Sequence, residues 1–289
     1  MSAVASADRG QIPVFGAAIQ GKRSEQQDSF RSLWLPSENA WLLLLADGMG
    51  GHAAGGIASR LAVEQFISAF TIARAADMDL KRAFEAAIER TNARISAAQR
   101  EQPGRDNMGT TIVAAHLSHE GIAWVSIGDS PLWLFRGGRF YRLNEDHSLR
   151  ELAREGAQVS ANMLQSAVTG GPIEIIDYHE TPIALHKDDL VVLASDGLLT
   201  LEEDAIAGEI GRNFPHGAEA VTRALLNAVE KYEKENQDNC TVIVASPPLA
   251  PKLKAAGSHA LGRWYMRPKI LVAVIVAIVA ASSLYLLFG

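Results

Sequence analysis

Four aspartates at the ends of apolar segments are the residues in this sequence best suited to chemistry. Asp47 ends LLLLAD, Asp129 follows VSIG, Asp196 follows LVVLAS, and Asp238 stands just before NCTVIVA. Apolar segments of this length are typical of buried strands, so we expect their ends, and with them the carboxylates, to converge. A single Asp-Gly pair such as Asp47-Gly48 is most often only a turn, but the fourfold recurrence favours a functional cluster.

Clustered carboxylates repel one another, and bound hard cations can compensate them without large pKa shifts. Oxygen ligands suit Mg²⁺, Mn²⁺ or Ca²⁺, and the single cysteine, Cys240, excludes a cysteine-rich zinc site. The glycines beside Asp47 would bring backbone close to the ions, and the Gly48 carbonyl could itself be a ligand. Two such ions, about 3.5–4 Å apart, can bind a hydroxide between them, and this hydroxide can attack phosphorus in line.

An arginine near these carboxylates would complete a site for phosphate. Arg23 lies five residues before Asp28 in GKRSEQQDSF, and a guanidinium can bind phosphate through two parallel hydrogen bonds. An arginine beside a carboxylate is more often only a surface ion pair, so this motif alone is weak evidence.

The hydrophobic patterns predict the elements that position these residues. Strands are predicted over 13–21, 40–47, 109–118, 121–130, 131–143, 173–180, 189–197 and 239–246, and helices over 54–74, about 80–95, 148–156 and 218–232. Residues 157–172 show no periodicity and are predicted to be irregular and mobile. Because the strands do not alternate strictly with helices, we predict an α+β fold of antiparallel sheets covered by helices.

The last forty residues differ in composition from the rest. Residues 270–288 carry no charge, and as a helix they would span roughly 28 Å, close to the hydrocarbon core of a bilayer. Five basic residues and no acidic ones occur between 250 and 289, which predicts a tail anchor with the preceding chain in the cytoplasm. We therefore divide the chain into a catalytic domain (1–248), a basic juxtamembrane linker (249–269) and a transmembrane helix (270–288).

Composition narrows the function classes. The chain has 289 residues, 48% of them hydrophobic, and a net charge of −6, so a large core can form. The charge before residue 250 is more acidic still, which argues against nucleic acid as the partner. The single cysteine fits a reducing compartment, and the N-terminus has no apolar signal segment.

Seven short motifs together resemble the metal-dependent Ser/Thr protein phosphatases of the protein phosphatase 2C type, in their bacterial form. The motifs are GKRSEQQDSF, LADGMGGHAAGGIAS, MGTT, IGDS, EDHSL, SDGL and DNCTVIV. The resemblance covers about residues 12–246 and keeps the family's order throughout. Any one motif could arise by chance, whereas seven in order are specific. The fold implied is a four-layer sandwich of two antiparallel β-sheets flanked by α-helices.

The resemblance implies a role for each matching residue of the metal centre. Asp47 is expected to bridge two Mn²⁺ or Mg²⁺ ions, and the carbonyl of Gly48 to bind one of them. Asp196 and Asp238 are expected to complete the shell of the other ion. Asp129, together with Asp196, is expected to receive a weaker third ion.

Three further residues take supporting roles by the same resemblance. Arg23 is expected to hold the phosphate. Asp28 is expected to lie close to the ions and to act directly or through a water. Asn239 is expected to orient the loop that carries Asp238.

The sequence departs from the family pattern at several of these motifs. Gln26 and Gln27 replace Asn and Glu of the Arg23 motif, and Met49 stands where animal members have a histidine proposed as general acid. Pro131 replaces the arginine that usually follows Gly-Asp-Ser. Residues 164–172 match the family's Thr-Arg-Ala motif only loosely, which indicates different substrate recognition.

We therefore predict a membrane-tethered enzyme that hydrolyses phosphoserine and phosphothreonine in cytoplasmic proteins, with a cognate membrane Ser/Thr kinase as a plausible partner. An alternative is an inactive phosphatase-like scaffold that docks phosphoproteins at a membrane complex. A third is a phosphatase for small phosphorylated metabolites. Phosphate release separates the first from the second, and competition between phosphopeptides and metabolites separates the first from the third.

Overall fold

Two antiparallel β-sheets form the centre of the protein in a computed structural model, which describes residues 3–6, 13–51, 54–101, 107–155, 158–160 and 163–246. The strands are β1 (Ala3–Ser6), β2 (Val14–Ile19), β3 (Asp28–Leu35), β4 (Ala40–Met49), β5 (Gly109–Thr110), β6 (Ile112–Ser118), β7 (Gly121–Ile127), β8 (Leu132–Arg136), β9 (Arg139–Arg142), β10 (Asp177–Ile183), β11 (Leu190–Ala194) and β12 (Cys240–Ala245). The helices are α1 (Ala54–Ala75), α2 (Leu80–Glu101), α3 (Arg150–Arg154), α4 (Glu203–Asn213) and α5 (Ala218–Tyr232), with short 3₁₀ turns at Asp196–Thr200 and Phe214–His216.

The first sheet has the strand order β1-β2-β12-β11-β8-β9, and the second has the order β10-β7-β6-β4-β3 with β5 paired to β4. Every strand pairing among the described residues is antiparallel. The first sheet therefore places the last strand, β12, between β2 from the start of the chain and β11. This arrangement brings the segments before β3 and before β12 to the same end of the fold.

Three hydrophobic clusters show the layers. One cluster joins α1 and α2 to the outer face of the second sheet, and another joins α4 and α5 to the outer face of the first. A third cluster lies between the sheets, with Leu43 and Leu45 of β4 facing Val191 and Leu193 of β11. The order is thus helix, sheet, sheet, helix, which confirms the predicted α+β sandwich.

Side-chain alternation explains why β4 reads as a continuous apolar run. Leu42 and Leu44 pack under the helices, while Leu43 and Leu45 pack between the sheets, and all four are fully buried. A strand buried on both faces needs apolar residues at every position. The same alternation aims the next odd-numbered residue, Asp47, toward the space between the sheets.

Most predicted elements are confirmed, with shifted ends. Helix α5 matches its predicted range of 218–232, and its buried residues recur every three or four positions. The strand predicted over 173–180 forms instead at Asp177–Ile183. The strands β1 and β3 and the helix α4 were not predicted, because none of them carries a strong apolar period. In β3, for example, most side chains are only partly buried.

The predicted linker (249–269) and transmembrane helix (270–288) lie outside the described residues. Within the described ranges, the chain contains no helix that is both long and apolar enough to cross a membrane. The described residues belong to one compact unit, Met1–Ala250. The boundary at residue 248 stays a prediction.

Candidate active site

Asp47 is held at the end of β4 by hydrogen bonds to its backbone. Its N–H donates to Thr111 Oγ1 at 3.1 Å, and its carbonyl accepts from the Thr111 N–H at 2.9 Å and from Thr110 Oγ1 at 2.9 Å. Thr111 is fixed in turn by Ser130, whose hydroxyl lies 2.8 Å from its own. The two threonines of the MGTT motif therefore position Asp47, a role that the sequence analysis did not assign.

A polar cleft of about 520 Å³ opens above Asp47 at this end of the sandwich. Six predicted site residues line it: Arg23, Asp47, Gly48, Asp129, Asp196 and Asp238. Their positions in sequence span more than two hundred residues. The predicted convergence of the strand ends is therefore confirmed by the structure, whereas the roles of the individual residues stay predictions.

The carboxylates are close enough to perturb one another. Burial, followed by repulsion from Asp28, Asp196 and further carboxylates, raises the pKa of Asp47 well above its usual value. Burial, followed by repulsion from Asp129 and Asp238, raises the pKa of Asp196 to about 7. Each of these groups is therefore costly to ionise without a compensating cation.

Asp28 pairs with Asp47 but is not among the residues that line the cleft, and its predicted role near the ions, directly or through a water, stays a prediction. Its Oδ2 accepts hydrogen bonds from Ser195 Oγ and Thr241 Oγ1, both at 2.7 Å. The alternation that aims Asp47 inward also aims Ser195 and Thr241 inward from β11 and β12, so Asp28 is held between the two sheets. Its other oxygen, Oδ1, is buried without a hydrogen-bond partner, which fits the predicted route through a water.

Arg23 and Asp238 form an ion pair across the cleft edge. Arg23 Nη2 donates to Asp238 Oδ2 at 2.5 Å, and this hydrogen bond, partly opposed by burial, raises the pKa of the arginine. Gln20 Nε2 donates to the Arg23 carbonyl at 2.7 Å and fixes the start of the loop. Arg23 is more than half exposed, so it can reach a phosphate that enters the cleft.

Asn239 ties the Arg23 loop to the Asp238 loop, as predicted. Its Nδ2 donates to the carbonyls of Gln20 and Glu25 at 2.8 and 3.0 Å, and its Oδ1 accepts from the Gln27 N–H at 2.8 Å. A buried amide that satisfies three backbone groups fixes both loops relative to each other.

Gly48 is a glycine because another backbone passes against it. A Cβ at this position would lie 2.1 Å from the carbonyl oxygen of Gly55, at the start of α1. The Gly48 N–H donates to the Gln27 carbonyl at 3.1 Å. The next residue, Met49, lines the cleft, so the position of the histidine of animal members is occupied here by a side chain that cannot donate a proton.

Asp129 has two arginines as neighbours. Arg150 Nη2 lies 3.5 Å from Asp129 Oδ2, and Arg142 Nη2 donates to the Asp129 carbonyl at 2.9 Å. Gly128, just before it, has φ +103°, and a Cβ there would lie 2.6 Å from Thr111 Cγ2. The sequence analysis did not find the two arginines, because arginines at this distance from Asp129 in sequence carry no recognisable spacing.

The segment after α3 forms one wall of the cleft. Described residues 163–172 are irregular, as predicted, and hydrogen bonds join them to neighbouring elements. Val168 exchanges two backbone hydrogen bonds with Thr110, at 2.9 and 3.0 Å, and the Gln165 N–H donates to the His147 carbonyl at 2.7 Å. Asn92 Oδ1 of α2 accepts from the Gly170 N–H at 2.8 Å.

The donor set fits hard divalent cations. It consists of carboxylates and the Gly48 carbonyl, which are the oxygen ligands that Mg²⁺ and Mn²⁺ prefer. In the described part of the chain, no group of three or more His, Cys, Asp or Glu side chains forms a ready-made metal cage. Mg²⁺ usually retains several waters and binds through one or two carboxylates, so this arrangement remains compatible with it.

Comparison with known proteins agrees with these features. The family model described as protein phosphatase 2C matches residues 15–237. The serine/threonine phosphatase stp of Listeria monocytogenes is 27% identical over 228 residues, which cover 74% of this chain and 88% of stp. The serine/threonine protein phosphatase PstP of Mycobacterium tuberculosis is 31% identical over 216 residues, which cover 71% of this chain but only 40% of PstP.

A solved structure supports the same fold. The catalytic domain of a serine/threonine protein phosphatase PstP, crystallised in complex with two manganese ions, aligns with a TM-score of 0.66 at 26% identity. The alignment covers 81% of this chain and 97% of that domain.

Proposed function

The chain belongs to the protein phosphatase 2C family and is a serine/threonine phosphatase, and on that premise we propose that it hydrolyses phosphoserine and phosphothreonine in proteins with two bound Mn²⁺ or Mg²⁺ ions. The observation that carries this proposal is the single cleft shared by Arg23, Asp47, Gly48, Asp196 and Asp238. The manganese ions of the PstP domain support the choice of metal.

Asp47, the Gly48 carbonyl, Asp196 and Asp238 would hold the ions. The ions, when bound, supply Lewis acidity and a nucleophilic oxygen at neutral pH. Asp28 supports this arrangement from behind, because its negative charge lies next to Asp47. Ser195 and Thr241 keep the Asp28 carboxylate in one orientation.

Arg23 binds and orients the phosphate. One of its five N–H donors is committed to Asp238, and the remaining donors can bind phosphate oxygens. The ion pair with Asp238 keeps the guanidinium at the cleft edge, so substrate binding requires little reorganisation of the side chain. Asn239 fixes the loops that carry Arg23 and Asp238 relative to each other.

Phosphate release from a phosphothreonine peptide tests the proposed activity. The full-length chain, stripped of metal by a chelator, is expected to release phosphate only after millimolar Mn²⁺ is added. The Asp196→Ala variant is expected to lose at least about a hundredfold in rate, because it removes a ligand. The matched control is Asp188→Ala, which removes an exposed aspartate far from the cleft lining.

Either of two results would overturn the proposal. One is a folded, metal-loaded chain that releases no phosphate, which would favour a phosphoprotein-binding scaffold. The other is small phosphorylated metabolites outcompeting phosphopeptides by a large factor, which would change the substrate class.

We also propose that residues 270–288 anchor the enzyme to the cytoplasmic face of a membrane, where a membrane Ser/Thr kinase would be a natural partner. The support is the uncharged apolar run and the basic residues before it. The full-length chain is expected to partition into detergent and into vesicles with anionic lipid, and a chain ending at residue 250 is expected to stay in the aqueous phase. Equal partitioning of both chains would contradict the anchor.

A further inference from the structure

We propose that the guanidinium of Arg150 occupies the position of a third cation between Asp129 and Asp196, so that the chain binds two divalent ions and not three. This inference rests on the two-ion site of the proposed function. It differs from the expectation that Asp129 receives a metal ion. The fixed positive charge of Arg150 thus replaces the charge of an exchangeable metal ion.

The first support is the contact between Arg150 and Asp129. Arg150 Nη2 lies 3.5 Å from Asp129 Oδ2, and both side chains are largely buried, with 18% and 6% of their surface exposed. A carboxylate that already faces a buried guanidinium has its charge compensated. A divalent ion could reach the same oxygen only by displacing the arginine.

The second support is the network that holds Arg150 in place. Asp146 Oδ2 lies 3.8 Å from Arg150 Nη1 and 2.9 Å from Arg142 Nη1. Asp146 Oδ1 accepts from the hydroxyl of Ser148 at 2.6 Å. Arg142 also donates to the Asp129 carbonyl, so two arginines and two aspartates form one closed cluster in which the charges balance.

The third support is that Arg150 lies in the same groove as the other expected ligand, Asp196. Both residues line this groove beside the cleft. The positive charge of Arg150 therefore lies on the side of the cleft where a third ion would bind Asp129.

Arg150 does not compensate the negative charges of Asp47 and Asp238. Asp47 has its largest repulsive contributions from Asp28 and Asp196, and Asp238 is paired with Arg23, an exposed residue at the cleft edge. The two divalent ions therefore bind at the two-ion site, while the guanidinium of Arg150 fills the position beside Asp129.

The test is a count of bound ions on the full-length chain, read without any assay of activity. The metal-stripped protein is dialysed to equilibrium against Mn²⁺ from 10 µM to 10 mM, about the span from tight to millimolar binding, and bound manganese is measured by elemental analysis. The wild type is expected to saturate at two ions, and Arg150→Gln at three. Arg150→Lys, which keeps the charge, is expected to stay at two.

Two controls show whether a third ion uses Asp129. The double variant Arg150→Gln with Asp129→Asn is expected to return to two ions. Arg154→Gln removes an arginine that lines the same groove and is expected to leave the count at two. The midpoint of thermal unfolding should rise further at millimolar Mn²⁺ in Arg150→Gln alone, because only this variant would bind a third ion.

Three ions in the wild type, or two in a folded Arg150→Gln, would overturn the inference. If Arg150→Gln fails to fold, the wild-type count and that of Arg150→Lys still decide it. The count is independent of turnover, because a chain that binds two ions but releases no phosphate would refute the proposed function and leave this inference standing.

Discussion

Asp28 and Asp47 stand directly opposite each other on neighbouring antiparallel strands, as Cα partners in the pairing of β3 with β4. Two carboxylates in this relation share one face of the sheet and repel each other. Burial, opposed by hydrogen bonds from Thr241 and Ser195, raises the pKa of Asp28 to about 7. A bound cation would therefore relieve the electrostatic repulsion between the carboxylates of Asp28 and Asp47.

The metal-free protein should lose stability as the pH rises. The pKa of Asp28 is about 7 in the folded chain against an ordinary 3.8, so the folded state binds more protons between these values and is favoured at the lower pH. We expect the free energy of unfolding to fall by about 2 kcal/mol from pH 5.5 to 8 through Asp28 alone, at about 1.36 kcal/mol per pKa unit.

Urea unfolding of the chelator-treated chain measures this change. Asp28→Asn should reduce the difference between pH 5.5 and pH 8 by about that amount, whereas Asp188→Asn, at an exposed site, should not. An unchanged pH difference in Asp28→Asn would contradict the prediction. Saturating Mn²⁺ should also flatten the wild-type profile.

Replacement of Arg23 should weaken phosphate recognition. Arg23→Gln removes charged hydrogen bonds of about 1.5–3 kcal/mol, so we expect kcat/KM for a phosphothreonine peptide to fall roughly 10- to 100-fold. Arg23→Lys keeps the charge but loses the planar fork and should recover only part of the loss. Steady-state kinetics measures both, with Arg31→Gln, on the exposed side of β3, as the matched control. Equal kcat/KM in Arg23→Gln and the control would exclude a role for Arg23 in phosphate binding.

A methyl group at Gly48 should damage the fold at the cleft. The new Cβ would lie 2.1 Å from the Gly55 carbonyl oxygen, and overpacking of this kind costs about 1–3 kcal/mol. Gly51→Ala is the control, because a Cβ there has no atom within 4 Å. Thermal unfolding should show a clear drop for Gly48→Ala and little change for Gly51→Ala. Similar midpoints for the two variants would mean that the backbone contact is not tight.

Glu38 should stabilise the protein above pH 4.5. It accepts hydrogen bonds from Arg74 of α1 and lies 3.1 Å from His116 Nε2 of β6, contacts that lower its pKa from 4.5 to about 2, the hydrogen bond with His116 contributing most. A lowered acid pKa gives stability that is present above the ordinary pKa and is lost as the pH falls toward the folded value.

Glu38→Gln should therefore cost about 1.5–3 kcal/mol at pH 7, in the range of hydrogen bonds to charged groups, and progressively less between pH 4.5 and 2. Unfolding curves at pH 7, 4 and 3 measure the trend. Glu120→Gln, at an exposed turn, is the control. A cost that does not depend on pH would point to packing instead of charge.

The strand ends and the acidic cluster could be predicted from sequence because buried strands show a clear apolar pattern, as in Leu42–Leu45. The inward aim of Asp28 follows only from its pairing with Asp47 of β4, so it requires that β3 be known. What could not be found was β3 itself, whose side chains are mostly half-buried and mix polar with apolar types.

The surroundings of Asp129 could not be predicted from the sequence. Its carboxylate lies 3.5 Å from Arg150 of α3, and its backbone carbonyl accepts a hydrogen bond from Arg142 at the end of β9. Contacts of this kind depend on how a hairpin and a short helix fold back, and neither residue spacing nor hydrophobic period encodes them.

The position of β12 has a consequence for how the enzyme is made. This strand is inserted between β2 and β11, and both Asp238 and the loop-joining Asn239 immediately precede it. A ribosome delivers the chain from its N-terminus, so Arg23 and Asp47 emerge long before their partners. The second sheet can form on the ribosome, but the first cannot close, and the catalytic cleft cannot assemble, until Cys240–Ala245 has left the exit tunnel. Activity therefore cannot begin before β12 has been synthesised, which keeps a shorter nascent chain from acting on phosphoproteins.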